Sequence, residues 1–396
     1  MENIMEEQKT KKNPASWIFC GVTFIAIATV IASLVFFGIE KYSEMAAIEN
    51  KIYTAPKQIA PYLHEMTFTD YTVDTEDATH NAMEAFGCSS VRNGNYYGRN
   101  FDYIFNDTPE FVIHIKAKEG RHASMGVATH YGLRETNLLK GEYDKQLELI
   151  PNLTLDGIND AGVIASINVV PGEEDAGKLT GTNPDGEPLN AAFAARYILD
   201  NASSADEAVE LLRARNLYGT AVSNMYLHIM IADPNKTYVV EFIDNQLVAQ
   251  EKTGDEQIMT NFYVNLPELT EHAAGVERYQ ILKENYAEGD TMVGMRNLMA
   301  RVKYSNAYNY SNDPAWYSEA IPQSILKDRD AEIFAEYAKG FENIAKDYWN
   351  YITNDKRNPA NTKFWHTTHN SIYDIENRTL RLTVQENYSD YFDFSL

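Results

Sequence analysis

Cys88 lies in the run Ala85-Phe86-Gly87-Cys88-Ser89-Ser90, and the block Gly98-Arg99-Asn100-Phe101-Asp102 follows it closely. A sulfur, a fixed cation and a carboxylate in so short a stretch are parts for amide-bond hydrolysis. A free thiol titrates at about 8.5 and needs help to ionise at neutral pH. Most cysteine hydrolases borrow a histidine base, but none of the nine histidines falls in a recognisable Cys/His signature. A second solution is available at Gly87–Cys88. If that bond is cut, Cys88 gains an α-amine of pKa roughly 7.7–8.0, which can take the proton of its own side chain. Glycine before the cysteine suits a strained scissile bond. Asp102 would then hold the new ammonium and Arg99 would stabilise the thiolate. Two plainer readings compete: a lone cysteine as a small buried hydrophobe, and Arg99 with Asp102 as a structural ion pair on a strand. No metal-ligand spacing such as His-Glu-x-x-His occurs, so neither metal nor cofactor is expected.

The elements that must position these residues alternate between strands and helices. Phe111–Ile115 has strand composition, as does Gly162–Val170 after the turn Asn159-Asp160-Ala161-Gly162. Leu189–Leu199 reads as an Ala-rich helix, and Ser204-Ala205-Asp206-Glu207 as a capping box that starts another. Tyr226–Ala232 and Thr237–Ile243 form a hairpin around Asp233-Pro234-Asn235-Lys236. Thr291–Tyr351 reads as mainly helical, and Ser371–Ile375 with Thr379–Val384 as a closing hairpin. Hairpins in place of βαβ crossovers predict an α+β fold of antiparallel sheets with helices packed on them. A four-layer αββα sandwich fits this pattern. No internal repeat or low-complexity tract is present.

The chain of 396 residues carries a net charge of −23, almost all of it beyond residue 40. Such a body repels phosphate backbones, so nucleic acid is excluded as a partner. Residues 17–39 contain no charge and are rich in Ile, Val, Phe and Ala. As a helix they would span about 35 Å, enough for a hydrocarbon core of about 30 Å. Lys9, Lys11 and Lys12 precede this run and predict a cytoplasmic N-terminus over 1–16, with the catalytic body outside the cell membrane. The expected organisation is therefore a single-pass anchor at 17–39, with a cleaved signal peptide as the competing reading, a stalk or propeptide over 40–87 and a catalytic domain over 88–396. Cys20, inside the anchor, is too remote to pair with Cys88.

Cys88 with Gly98-Arg99-Asn100-Phe101-Asp102 resembles the choloylglycine hydrolase and penicillin V acylase family of N-terminal nucleophile hydrolases, which is related to acid ceramidase. Further blocks are similar to that family in the same order: Asp156-Gly157-Ile158-Asn159-Asp160-Ala161-Gly162, Met259-Thr260-Asn261, Glu277-Arg278-Tyr279, and the segment from Ser371 to Val384. The gap from Cys88 to Arg99 is shorter than in typical bile-salt hydrolases, and the anchor and stalk make self-cleavage a requirement. The resemblance implies an N-terminal nucleophile fold of the αββα type and hydrolysis of a linear amide. It assigns Asn261 and Asn159 to the oxyanion and Arg278, with Asp102, to orienting the amine. It also implies a small-molecule substrate, an N-acyl amide or a conjugated bile-salt-like amide. Tyr96, Tyr97, Tyr103 and Phe105 are candidates for an acyl pocket, against the plainer reading of core aromatics. The same site would support acyl transfer to an amine, and a chain never cut at Gly87 would be a tethered binding protein.

Overall fold

The computed structural model describes residues 52–72, 88–103, 108–130, 133–141, 144–171, 179–219, 225–266, 275–303 and 366–396. The apolar run at 17–39 and the Gly87 side of the Gly87–Cys88 bond lie outside them, as does the helical reading beyond residue 303. Among the described residues no helix is long and apolar enough to cross a membrane.

The compact body begins at Tyr53, well inside the segment expected to be stalk. Two strands occupy that segment, β1 (Lys57–Ala60) and β2 (Leu63–Phe68). After them come β3 (Ser89–Asn93), β4 (Tyr96–Tyr103), β5 (Glu110–Ile115) and β6 (Ser124–Thr129). Helix α1 (Glu135–Lys140) precedes β7 (Thr154–Asn159) and β8 (Ile164–Pro171). A short strand, β9 (Pro188–Asn190), leads to α2 (Ala194–Asn201) and α3 (Ala205–Arg213), and β10 (Asn216–Tyr218) pairs back onto β9. A meander follows in β11 (Met225–Ala232), β12 (Thr237–Ile243) and β13 (Gln246–Glu251). Then come β14 (Ile258–Met259), α4 (Val276–Glu284) and α5 (Met292–Arg301). The chain closes with β15 (His366–Asp374), β16 (Thr379–Val384) and β17 (Phe392–Ser395).

These strands form a nine-stranded sheet, β1-β2-β5-β6-β7-β8-β11-β12-β13, and a six-stranded sheet, β14-β3-β4-β15-β16-β17. One buried cluster takes Val112, Met125, Val127, Ile158 and Met230 from the large sheet and Tyr97, Tyr373, Leu380 and Leu382 from the small one. The two sheets therefore face each other across a shared core. Helices α2 and α3 cover the large sheet, and α5 packs on β4 and β15 of the small one. The expected α+β arrangement, two facing sheets with helices packed on each, is present, with two departures from antiparallel pairing, one of them the short parallel pair β9–β10. Strand β2 runs parallel to β5, with Leu63 opposite Glu110 and Phe68 opposite Ile115. The parallel step arises because the chain leaves the large sheet after β2, builds the β3–β4 hairpin in the small sheet, and returns as β5.

Local chemistry explains where the expected boundaries hold and where they move. Ser204 accepts from the Glu207 amide at 3.1 Å and starts α3 as a cap should. Glu207 reaches back to the Ser203 amide, one residue upstream of an ideal capping box. The helix expected from Leu189 starts later, because Pro188–Asn190 pairs as β9 and Asn190 caps the following turn through the Ala192 amide at 3.0 Å.

The stalk reading fails for a hydrophobic reason. Leu63, Met66 and Phe68 are fully buried, and Tyr71 packs in one cluster with Met66 and Phe68. A Phe68→Ala change is predicted to destabilise the body by about 3–5 kcal/mol in chemical denaturation, as for a buried aromatic. A stalk residue would change stability by no more than about 0.5 kcal/mol.

Candidate active site

Cys88 lies immediately before β3, and the β3–β4 hairpin returns through Gly94-Asn95 to set Arg99 opposite Ser90. Along β4 the side chains alternate. Tyr97, Arg99 and Phe101 point between the sheets. On the other face, α5 approaches so closely that a Cβ at Gly98 would meet Met295 Sδ and Met299 Cγ at 2.8 Å. Asn100 on that face donates to the Met299 carbonyl at 2.9 Å, near the end of α5. The block Gly-Arg-Asn-Phe-Asp thus reads as helix clearance, inward cation, helix-end donor, core ring and outward carboxylate.

Arg99 does not pair with Asp102. Its Nη1 donates to Asp156 Oδ2 at 2.9 Å, and its Nη2 donates to the Ile167 carbonyl at 2.8 Å while lying 3.8 Å from the Cys88 sulfur. Arg99, Asp156 and Cys88 are all fully buried. Burial would raise the Asp156 carboxyl, but Arg99, His369 and Tyr373 together hold it down at about 2. Burial pushes the Cys88 thiol up, and Arg99 with the Asp102 amide opposes that push. Burial thus works against the thiolate of a sulfur that lies beside a fixed cation.

Asp102 has a different partner set. Thr367 Oγ1 donates to its Oδ1 at 2.6 Å, and Arg278 Nη1 lies 3.5 Å from its Oδ2. Burial raises this carboxyl to about 7 in spite of Arg278. Arg278 sits in the first turn of α4, whose N-cap Gly275 has φ of 86°. A Cβ there would come within 3.0 Å of the Asn261 amide, so glycine lets α4 dock against the 260–261 loop. Arg278 Nη1 donates to the Cys88 carbonyl and to Ser89 Oγ, both at 2.8 Å, and Nη2 donates to Asn261 Oδ1 at 2.5 Å. Asn261 Nδ2 in turn donates to the Val169 carbonyl at 2.6 Å, which uses one of its two hydrogens. Five of the residues singled out from sequence, Cys88, Arg99, Asp102, Asn261 and Arg278, thus converge on the start of β3.

Asn159 does not join them. Its Oδ1 accepts from the Val163 amide at 2.9 Å, and its Nδ2 donates to the Leu199 and Ala202 carbonyls at 3.1 and 2.7 Å. It closes the β7–β8 turn and fastens α2 to it, which corrects its assignment to the oxyanion. Within the same motif it is Asp156, three residues earlier, that reaches the site. Asn168 on β8 was also missed. Its Nδ2 spans the Met259 and Thr260 carbonyls at 3.3 Å, and Ser90 donates to its Oδ1 at 3.4 Å. An asparagine inside the aliphatic run Ile164-Ala165-Ser166-Ile167-Asn168-Val169-Val170 was the available signal. Tyr97 is no pocket wall, since it is fully buried and bonds Ser166 at 2.5 Å between the sheets. Tyr96 packs in the cluster around α5, the Tyr103 side chain is not described and Phe105 is outside the described residues. Among the described residues no group of three or more His, Cys, Asp or Glu is arranged to hold a metal ion.

The family model for acyl-coenzyme A:6-aminopenicillanic acid acyl-transferase matches residues 152–389, more than half of the chain. The matched stretch contains Asp156, Asn261, Arg278 and His369, while Cys88, Arg99 and Asp102 precede it. No curated protein sequence matches the chain. Similar solved structures include a mutant conjugated bile acid hydrolase from Clostridium perfringens, at 13% identity and a TM-score of 0.43, covering 78% of this chain and 92% of that one. Another is penicillin V acylase from Agrobacterium tumefaciens, at 13% identity and a TM-score of 0.38, covering 78% and 86% respectively.

Two outcomes test the geometry. Asn159→Ala removes three buried hydrogen bonds, and a loss of about 1–3 kcal/mol in denaturant unfolding is expected, with the Cys88 thiol titration unmoved. The second concerns Asp102, whose carboxyl is pushed by burial to about 7 from an ordinary 3.8. The folded state binds this proton more tightly than the unfolded chain. Its stabilising contribution is therefore complete below about pH 4 and is lost as pH rises through about 7. In a Cys88→Ala background, stability should fall over that interval, and adding Asp102→Asn should flatten the fall. Equal slopes with and without Asp102→Asn would refute the raised carboxyl.

Proposed function

The chain belongs to the acyl-coenzyme A:6-aminopenicillanic acid acyl-transferase family, and on that footing we propose that it hydrolyses linear amide C–N bonds with Cys88 as its nucleophile, after cleavage of Gly87–Cys88. The observation that carries this reading is the side chain of Arg278, which contacts Cys88, Asn261 and Asp102 together. Cleavage would give Cys88 an α-ammonium beside a buried carboxyl whose Oδ2 accepts no hydrogen bond among the described residues. That cation would favour the ionised Asp102, and the free amine in equilibrium with it would take the thiol proton.

In the proposed reaction the Cys88 thiolate, beside Arg99, adds to the amide carbonyl. The second Nδ2 hydrogen of Asn261 meets the developing oxyanion, and the Cys88 ammonium protonates the departing amine. A water deprotonated by the same amine then releases the acyl group from the thioester. The substrate class is a small N-acyl amide. The family description favours one further reading of the same site, in which an amine replaces water as acceptor. Products formed with and without an added amine separate the two. The anchor at 17–39, with the body outside the cell membrane, is the location proposed for this activity.

Cys88→Ala should abolish both chain cleavage, read by N-terminal sequencing, and turnover in an N-acyl amide screen. Turnover by that variant would remove Cys88 from the nucleophile role. Asn261→Ala should remain folded and lose about 10²–10³ in kcat, the usual loss of one oxyanion donor.

A further inference from the structure

The small sheet carries one more titratable group into the space under Cys88. Regular alternation would put Thr367 and His369 on the same face of β15. They face opposite ways: Thr367 reaches Asp102, while His369 Nε2 lies 3.1 Å from Asp156 Oδ2. A bulge causes the switch, because Thr367 pairs with Asp102 and His369 with the adjacent Phe101, which leaves Thr368 as the extra residue. Bulges beside functional sites serve to re-aim a side chain.

Both ring nitrogens of His369 face carboxylates. Nε2 meets Asp156 from β7, and Nδ1 lies 3.2 Å from Glu110 Oε2 at the start of β5. Arg99 from β4 shares Asp156 Oδ2, with its Nη1 3.2 Å from the ring. Tyr373 from β15 donates to the other Asp156 oxygen at 2.5 Å. Phe101 stacks on the imidazole at 5.2 Å and lies 5.0 Å from the Arg99 guanidinium. Ring, carboxylates and guanidinium are all buried. Two carboxylates and one guanidinium leave an uncompensated charge unless the ring is an imidazolium, and an uncompensated buried charge is strongly destabilising.

We propose that His369 is a positioning residue for the Cys88 sulfur, an imidazolium held between the Glu110 and Asp156 carboxylates that thereby fixes Arg99 beneath the thiolate. The inference rests on Cys88 being the nucleophile. Burial works against the charged ring, but Glu110 and Asp156 outweigh it and raise its pKa. His369 touches neither the sulfur nor any atom that reacts, and it acts through Asp156 and Arg99.

The test is made on the full chain carrying Cys20→Ser, so that Cys88 supplies the remaining cysteine signal. Its ¹³Cβ shift is followed against pH in the parent, His369→Gln, Asp156→Asn and the double variant. Both single changes should raise the thiol titration by about one pH unit or more, a tenfold loss of thiolate at a given pH. The double variant should move no further than the larger single effect, since the two residues act along one path. A folded His369→Gln protein whose thiol titrates as the parent does would overturn the proposal, whatever its melting temperature. If the variants do not fold, the imidazole nitrogen shifts of the parent decide. Both nitrogens should stay protonated at neutral pH, above the range of an ordinary imidazole, and a neutral tautomer at neutral pH overturns the assignment. Neither readout needs turnover. Failure here is therefore distinct from failure of the amidase reading, which the Cys88→Ala assay tests.

Discussion

A guanidinium with no exposed surface must meet a carboxylate, and the two sheets are arranged around that requirement at Arg99. Its partner Asp156 comes from the opposite sheet, so the ion pair spans the shared core. Removing one member of such a pair strands a buried charge, at about 3–5 kcal/mol. The glycines around it follow from the same approach. A Cβ at Gly157 would strike Leu199 Cδ1 at 2.6 Å, and one at Gly126 would strike the Asp156 carbonyl at 2.5 Å. Strands β6 and β7 and helix α2 can therefore close tightly around Asp156. In the motif Asp156-Gly157-Ile158-Asn159, the acid supplies the counter-charge, the glycine admits α2, and the asparagine locks the turn.

The pair also sets the electrostatics next to the sulfur. Arg99 lies 3.8 Å from Cys88 while Asp156 and the Ile167 carbonyl anchor its Nη1 and Nη2. Arg99 and, more weakly, Arg278 do not overcome desolvation of the thiol. Asp102 is under the same pressure, held near neutrality by burial with Arg278 at 3.5 Å. Two groups that would each gain from one more nearby positive charge stand together at the start of β3. Cleavage at Gly87–Cys88, as proposed, adds that charge at the residue where both are short of it. The latent state and the proposed active state would then differ by one peptide bond and one ammonium, with the sheets unchanged.

Much of this was legible in the residues, and what was not had a common cause. The hairpins at 226–243 and 371–384 declare themselves by local alternation and turn chemistry. Cys88, Arg99 and Asp102 are close enough in sequence to suggest a common site. Their actual pairings were hidden, because Arg99 finds Asp156 fifty-seven residues away and Asp102 finds Arg278 much farther on. Asn159 came to the oxyanion through the resemblance of its motif, while the hydrogen bonds that tie it to α2 are tertiary. His369 was invisible for a sharper reason. A one-residue bulge reverses the face of a strand, and nothing in Thr367-Thr368-His369-Asn370 marks where the extra residue falls. Strands β1 and β2 escaped because Pro56 and Pro61 break their pattern, and their burial depends on β5 waiting in the large sheet.

That last pairing ties the upstream segment to the chemistry. Glu110, which faces His369, opens β5, and its amide donates to the Tyr62 carbonyl at 2.8 Å just before β2 begins. Tyr62 is itself held at a φ of 65°, and its amide is bonded to Glu135 on α1. A left-handed tyrosine is an uncommon conformation that persists only when its surroundings impose it. Here Glu135 imposes it: its Oε1 accepts from Tyr62 and Gln58, and its Oε2 meets His64 at 2.8 Å. The series Glu135, Tyr62, Glu110, His369, Asp156 and Arg99 is therefore continuous from the first strands to the sulfur. Each contact is local, but together they make the residues upstream of Cys88 part of the support for the charge beneath it. A break at Gly87–Cys88 would interrupt the covalent chain without touching any of these contacts. The work of β1 and β2 would not end with cleavage, because the position of Glu110 depends on β2 remaining in the sheet.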